Sequence, residues 1–379
     1  MSNIEISAAF DSGNIETLAV DGADASLALR SDHNSPFYQW FHFRVSGCKG
    51  RKVTLRITGL NGSAYPMGWP NYQACLSQDR VMWTRAETQW DENAYDGTLT
   101  VHCQPTGDII WCAYFAPYSM ERHHDLVSRI ALAQGVDHAS LGLSLDGRTI
   151  DSLAMGSGRY QVWLIARQHP GESMAEWWME GALEALIDPA DMVGQELRRR
   201  CRLNIVPNAN PDGTFRGHLR TNASGANLNR EWVSPSPERS PEIVAIKNAM
   251  DRSGVDFAMD VHGDEAIPGV FLAGFAGIPS LTPAQARGFD LYKAILDRRT
   301  PDFQTQLGYP VARAGKGNLA MATNQIAERF GCVAMTLEMP FKDHNAAPCP
   351  RQGWSPERSK RLGRECLAAL LEWIDTRQP

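Results

Sequence analysis

The run Gln161-Val162-Trp163-Leu164-Ile165-Ala166 passes through Arg167-Gln168 into His169-Pro170-Gly171-Glu172. The first six residues are apolar enough, and short enough, for a buried strand. The next six turn sharply at Pro-Gly and carry two side chains able to bind a metal. The same sentence structure recurs along the chain. Residues 202–206 run into Asn208-Ala209-Asn210-Pro211-Asp212-Gly213, residues 257–261 into His262-Gly263-Asp264-Glu265, and residues 332–337 end at Glu338. Residues 270–273 form a fifth strand-like run. Strand-like runs that alternate with helical ones predict an α/β fold with a mostly parallel sheet flanked by helices. Ligands of such sheets bind beyond the carboxyl ends of the strands, so four polar tips are expected to converge there.

Helix starts support this reading. Ser240-Pro241-Glu242 and Ser355-Pro356-Glu357 each offer a capping hydroxyl, then proline, then an acid. Thr282-Pro283-Ala284-Gln285 has the form of a capping box. In the last helix Leu362, Cys366, Leu370 and Ile374 recur at helical spacing, which predicts packing on the sheet. Residues 1–117 differ in grain. Val53, Leu55 and Ile57 alternate with polar neighbours, and residues 98–102 and 109–115 are further β-rich runs. Asn61-Gly62, Asp96-Gly97 and Thr106-Gly107 mark turns between them. An antiparallel β-sandwich over 1–117 is therefore expected ahead of the α/β domain over 118–379, with 117–124 as the junction.

The 379 residues are 43% hydrophobic and 21% charged, with a net charge of -6. That composition suits globular domains and gives no general pull toward nucleic acid or anionic membrane. The amino terminus has no basic, apolar leader, and no run of about 18 apolar residues exists to span a membrane. None of the eight cysteines forms a Cys-x-x-Cys pair. Free thiols in a reducing, cytoplasmic compartment are expected.

Chemistry is concentrated in a few positions. A catalytic zinc takes three protein ligands and leaves one position open. His169 and Glu172 suit two of them, and His262, at another strand tip, suits the third. Taken singly, each also reads as an ordinary loop or helix-terminal residue. Glu338 closes an apolar run, and a buried carboxylate there is a candidate general base. Arg220 and Arg230 lie in a Gly-, Ser- and Asn-rich stretch, where fixed guanidinium groups can hold a carboxylate or an oxyanion.

Together these motifs are specific. His-Pro-Gly-Glu (169–172), Asn-Pro-Asp-Gly (210–213), Arg220, Asn-Leu-Asn-Arg (227–230), Asp-x-His-Gly (260–263) and Thr-Leu-Glu (336–338) occur in order. The series resembles the zinc carboxypeptidase A superfamily, and most closely its cytosolic carboxypeptidase branch. Ala113-Tyr114-Phe115-Ala116-Pro117-Tyr118 is similar to the aromatic-Pro-Tyr junction of that branch, which has a β-sandwich before the catalytic domain. The resemblance implies one zinc held by His169, Glu172 and His262. It implies Arg220 polarising the scissile carbonyl, Asn229 and Arg230 gripping the terminal carboxylate, and Glu338 moving the proton of the attacking water. The implied partner is a peptide or protein C-terminal tail.

Two departures from the family are visible. Asn227 stands where many relatives carry an aspartate partner for the first zinc histidine. No tyrosine upstream of Glu338 is marked by a motif, Tyr309 being the nearest. Deglutamylating members of the branch carry a basic residue before the catalytic glutamate. Here the corresponding count reaches Thr323-Asn324, with Arg313 and Lys316 nearby as the basic candidates. Rival readings are a zinc amidohydrolase of N-acyl amino acids and a non-catalytic module that binds peptide tails.

Overall fold

The structure, a computed structural model, describes residues 2–377. Ten short strands come first: β1 (Glu5–Ser7), β2 (Glu16–Asp21), β3 (Asp24–Ala28), β4 (His42–Ser46), β5 (Val53–Thr58), β6 (Cys75–Ser77), β7 (Thr84–Arg85), β8 (Glu87–Asp91), β9 (Thr98–Cys103) and β10 (Ile109–Ala113). They build two five-stranded sheets, ordered β1-β4-β10-β6-β7 and β2-β3-β5-β9-β8. Val53, Leu55 and Ile57 of β5 are buried and their alternate neighbours half-buried, which is the period-two pattern made visible. Neighbouring strands are antiparallel except β3 and β5, which run parallel. That pair departs from the all-antiparallel expectation, because β3 returns to β5 by the long excursion through β4 rather than by a hairpin.

The remainder alternates helices and strands: α1 (Met120–Ala131), β11 (Val136–Leu143), β12 (Thr149–Met155), β13 (Tyr160–Ala166), α2 (Met174–Ile187), α3 (Met192–Arg200), β14 (Cys201–Val206), α4 (Pro211–Arg216) and α5 (Pro241–Ser253). Then follow β15 (Phe257–Asp264), β16 (Phe271–Ala273), α6 (Pro283–Arg299), α7 (Ala322–Phe330), β17 (Val333–Pro340) and α8 (Pro356–Asp375). One seven-stranded sheet has the order β11-β12-β14-β13-β15-β17-β16. Its four central strands, β14, β13, β15 and β17, are mutually parallel, and the edges are antiparallel. Every residue of β15 and β17 is buried, as strands covered on both faces require.

The five expected strands all form. β15 and β17 continue three residues past their apolar runs because they remain paired through His262 with Glu338, Gly263 with Met339 and Asp264 with Pro340. β11 and β12 carry no clear signal in the sequence. β11 is largely exposed, so nothing forces its residues to alternate. The Thr282 capping box forms, and the Ser355 hydroxyl accepts from the Arg358 amide. Ser240 does not cap α5; its hydroxyl donates instead to Glu231 Oε2 at 3.4 Å. In α8, Leu362, Cys366, Leu370 and Ile374 are buried as expected. The helix packs mainly against α2 and α6, however, and reaches the sheet through Trp373, whose ring lies 5.2 Å from that of Phe257. Layering α8 outside α2 explains why α2 is apolar on nearly every face. All eight cysteines are free, and no helix among the described residues is long and apolar enough to cross a membrane.

Candidate metal centre and catalytic site

β13 ends at Ala166, and the chain then enters a turn that begins with strain. Arg167 is buried with φ of 60°, a left-handed conformation uncommon for a residue with a side chain. Its surroundings hold it there. The guanidinium pairs with Glu176 Oε2 of α2 at 2.9 Å and donates to the Pro170 carbonyl at 2.5 Å. The turn is thereby braced from within. Gly171 sits against the backbone of Leu219, donating to its carbonyl at 2.8 Å, and a Cβ at this position would lie 2.8 Å from that oxygen. Only glycine fits so close an approach.

The turn delivers His169 and Glu172 to one point, and β15 delivers His262 to the same point. Ligand atoms of the three lie within 4.8 Å of one another, all on buried residues. Glu172 Oε1 is 2.6 Å from His169 Nδ1, and Oε2 is 2.7 Å from His262 Nδ1. The two Nδ1 atoms are 3.1 Å apart. The opposite ring nitrogens assign the tautomers. His169 Nε2 faces Asn227 Oδ1 at 3.0 Å, and His262 Nε2 faces Asp260 Oδ2 at 2.8 Å. Both partners accept, so the Nε2 atoms donate and each Nδ1 turns a lone pair inward. Two lone pairs and a carboxylate directed at one another need a cation between them. The donor set therefore fits a divalent metal, with nitrogen and oxygen ligands typical of zinc. Asp260 is in turn fixed by Gln168 Nε2 at 2.6 Å, and Gln168 Oε1 accepts from Trp232 at 2.8 Å. Such outer partners orient metal-binding imidazoles.

Charge in this pocket is strongly perturbed. Burial opposes ionisation of Glu172, but His169 and His262 outweigh it and hold the carboxyl well below its usual range. Burial, then the nearby Arg220 charge, lowers His169 to about 4. Burial also disfavours a charge on His262, yet Asp260 and Glu172 raise its pKa well above normal, so that without a metal cation a proton on the ring takes the place of one.

Glu338 lies beside His262 in register on the adjacent parallel strand, so both side chains emerge on one face. It is 6% exposed, and its Oε2 has no hydrogen-bond partner among the described residues. Desolvation pushes its pKa well above the usual value; His262 opposes the shift, and Glu172 and Asp264 reinforce it. Tyr309 is brought here as well. Its hydroxyl lies 2.7 Å from Asp264 Oδ2 and 3.2 Å from Glu338 Oε1. No motif marks Tyr309, because it reaches the site from an exposed loop.

The other candidates line the rim. Arg220 and Arg230 make no ion pair among the described residues. Their mutual repulsion, after burial, lowers the pKa of Arg230. Asn229 Oδ1 accepts from the Ala322 amide at 2.8 Å, which leaves the amide NH₂ without a protein partner among the described residues. The Arg220 guanidinium carbon lies 5.3 Å from the ring centre of Tyr65 and 5.7 Å from that of Phe37. Both aromatics come from the first part of the chain, and nothing near them in sequence points to chemistry. Asp260 was more legible, since residues two apart on a strand share a face. Arg313 and Lys316 occupy an exposed turn and make no hydrogen bond or ion pair to a site residue.

Comparison with known proteins agrees with this geometry. Residues 6–115 match the cytosolic carboxypeptidase N-terminal domain, and residues 131–267 match the zinc carboxypeptidase family. An uncharacterized protein of Zymomonas mobilis is 57% identical over 98% of this chain and 97% of its own length. The crystal structure of a metallo-carboxypeptidase from Burkholderia cenocepacia superposes with a TM-score of 0.95 at 41% identity, covering 98% of this chain and all of the other. A metallo-carboxypeptidase from Pseudomonas aeruginosa, solved in complex with (2-guanidinoethylmercapto)succinic acid, gives a TM-score of 0.94 at 44% identity, covering 98% and 99%. With its metal-ready triad and its matched amino-terminal domain, the chain belongs to the zinc carboxypeptidase family, as a hydrolase of the metallocarboxypeptidase type in the cytosolic carboxypeptidase branch.

Proposed function

We propose that the protein removes C-terminal residues from peptides or protein tails, with one zinc held by His169, Glu172 and His262. The observation that carries the reading is the inward-facing triad beside a buried carboxylate with an unpartnered oxygen. When bound, zinc supplies Lewis acidity and makes water acidic enough to ionise near neutral pH. Glu338 Oε2 takes the proton of the attacking water and later gives it to the leaving amine. Arg220, flanked by aromatic faces and free of a carboxylate partner, donates to the carbonyl oxygen as it becomes negative. Arg230 and the free amide of Asn229 hold the terminal carboxylate, which restricts cleavage to the chain end. The preceding β-domain, taken as residues 1–117, contributes the aromatic faces.

Acidic tails are the favoured substrates on electrostatic grounds. Arg220 and Arg230 lack counterions and repel one another; the oxyanion and the terminal carboxylate relieve that repulsion, and an acidic side chain beside them adds to the relief. The ligand of the Pseudomonas relative is a dicarboxylate that also bears a guanidinium, so the same compound is expected to compete with peptides here. Matched peptides ending in Glu, Asp, Lys or Phe, with free and amidated termini, test the proposal by end-group analysis alongside zinc stoichiometry. Only free termini should be cut. Glu338→Gln should lower kcat by ~10³-fold while zinc content and peptide affinity persist. Cleavage of amidated peptides, or turnover by Glu338→Gln at the wild-type rate, would refute the assignment. Equal inertness toward Glu and Asp would remove the acidic preference alone.

A further inference from the structure

The Arg220 segment lacks regular secondary structure, yet its backbone is held on two sides. On one side lies the metal turn, where the Gly171 amide donates to the Leu219 carbonyl at 2.8 Å. On the other lies Asp32, nearly 190 positions earlier and 3% exposed. Asp32 Oδ1 accepts from the Leu219 amide at 2.7 Å. Oδ2 accepts from the amides of Arg220 at 2.8 Å and Thr221 at 2.9 Å, and from the Thr221 hydroxyl at 3.0 Å. Four donors on one carboxylate compensate its burial without any cation. All four come from three consecutive residues centred on Arg220.

The surrounding loop adds to the hold. The Asp32 amide donates to the Phe37 carbonyl at 2.8 Å, closing a turn that sets Phe37 against the Arg220 guanidinium. Gln39, fully buried, accepts from the Tyr65 amide at 2.7 Å and donates to the Tyr65 carbonyl at 3.0 Å, fixing the second aromatic face. His33 donates its amide to His218 Nε2 at 3.1 Å, and His218 Nδ1 donates to the Thr221 carbonyl at 2.9 Å.

We propose that Asp32 is a positioning residue for Arg220, through which the amino-terminal β-domain sets the oxyanion-binding guanidinium against the metal turn. The inference rests on the role given to Arg220 above. A mere fastener between two domains would take its bonds from wherever the surfaces meet. Here one carboxylate grips the backbone on both sides of the Arg220 Cα, while the opposite edge of the same segment is tied to the metal turn. Arginine has a long side chain with much rotamer freedom, so its reach is set first by where its backbone is fixed. A displacement of about 1 Å in a positioning group can cost ~10²-fold in rate.

Asp32→Asn keeps the shape but sets an amide N–H against N–H donors. It should lower kcat by ~10- to 100-fold and change KM by less than ~3-fold, measured well below the melting temperature. In an Arg220→Ala background it should lower kcat no further, because the group it positions is gone. If Asp32→Asn fails to fold, Thr221→Ala removes one of the four bonds and should lower kcat by about 3-fold, again only when Arg220 is present. An unchanged kcat in the variant that decides, or an equal loss with and without Arg220, overturns the proposal while leaving Arg220 in its role. If Arg220→Ala itself retains full kcat, the role of Arg220 fails, and the positioning role of Asp32 fails with it.

Discussion

The floor of the site and its rim are built on different principles. The floor consists of His169, Glu172, His262 and Glu338, carried at or just beyond the ends of parallel strands β13, β15 and β17. The rim consists of Arg220, Asn229 and Arg230, carried on a stretch whose only regular element is a single 3-10 turn at Leu228–Arg230. Ladder bonds fix the floor, and Arg167, Gln168 and Asp260 brace it from inside the same sheet system. The rim takes its support from outside, with Asp32, Phe37 and Tyr65 around Arg220 and the start of α7 against Asn229. Metal geometry is thus mainly a property of the sheet, with Asn227 of the rim stretch holding the outer nitrogen of His169 at 3.0 Å. The geometry of Arg220 depends instead on loops of the amino-terminal segment, those carrying Asp32, Phe37 and Tyr65.

The comparison makes the two sets of residues separable by experiment. Among effects on binding, the largest is expected on the rim. Arg230→Ala should raise KM for a peptide with a free terminus by ~10²-fold, because a charge-assisted contact to a carboxylate is lost. kcat should fall far less, and bound zinc should stay at the wild-type level. Loss of zinc in this variant would mean that floor and rim are not independent. A smaller effect is expected from the floor. Asp260→Asn weakens the acceptor that orients His262 and should lower zinc affinity by ~10- to 100-fold in a competitive chelator titration. At saturating zinc its KM should match wild type, and a raised KM there would show that Asp260 also serves the rim.

The same contrast explains what could be read from the sequence. The floor was legible because a strand converts chain order into spatial order. An apolar run that ends in His, Asn or Glu at four places puts those tips together once the strands are parallel. The ends of β15 and β17 were harder to place, since pairing continues through polar residues that an apolar pattern cannot register. Arg220 and Arg230 stood out as guanidinium groups in a Gly-, Ser- and Asn-rich stretch, but the separate roles of Arg220, Asn229 and Arg230 came only from the resemblance of Arg220 and the Asn-Leu-Asn-Arg series to a family. Their supports could not be named at all. Asp32, Phe37 and Tyr65 sit among turn residues of an all-β segment, and tertiary contact alone brings them to Arg220. Tyr309 was noted only as the nearest upstream tyrosine, and the Asp264 and Glu338 carboxylates give it a place. Strand β11 escaped notice because an exposed edge leaves little hydrophobic alternation to detect, and β12 because its buried positions run together through polar residues, Asp151 and Ser152, without alternation.

The smallest predicted effect concerns what lies behind the floor. His123 of α1 is buried, with Nδ1 2.6 Å from Glu176 Oε1 and Nε2 3.2 Å from Asp151 Oδ2. Glu176 also holds Arg167, which holds Pro170 in the metal turn. Burial works against a charge on His123, but Glu176 first, and Asp151 with it, raise its pKa to about 9 from an ordinary 6.5. A histidine whose pKa is higher in the folded state than in the unfolded one binds its proton more tightly when folded. Its stabilising contribution is complete below about pH 6.5 and is lost as pH rises through about 9. The melting temperature should therefore fall between about pH 7 and pH 10, by a few degrees for a chain of this length. His123→Gln, which cannot titrate, should melt lower at neutral pH and lose that part of the slope. Among the described residues the Arg230 side chain makes no hydrogen bond to this network, its one such bond going to the Asn229 carbonyl, so Arg230→Ala should keep the wild-type slope. An unaltered slope in His123→Gln would show that the proton on His123 contributes nothing to holding the turn beneath the metal.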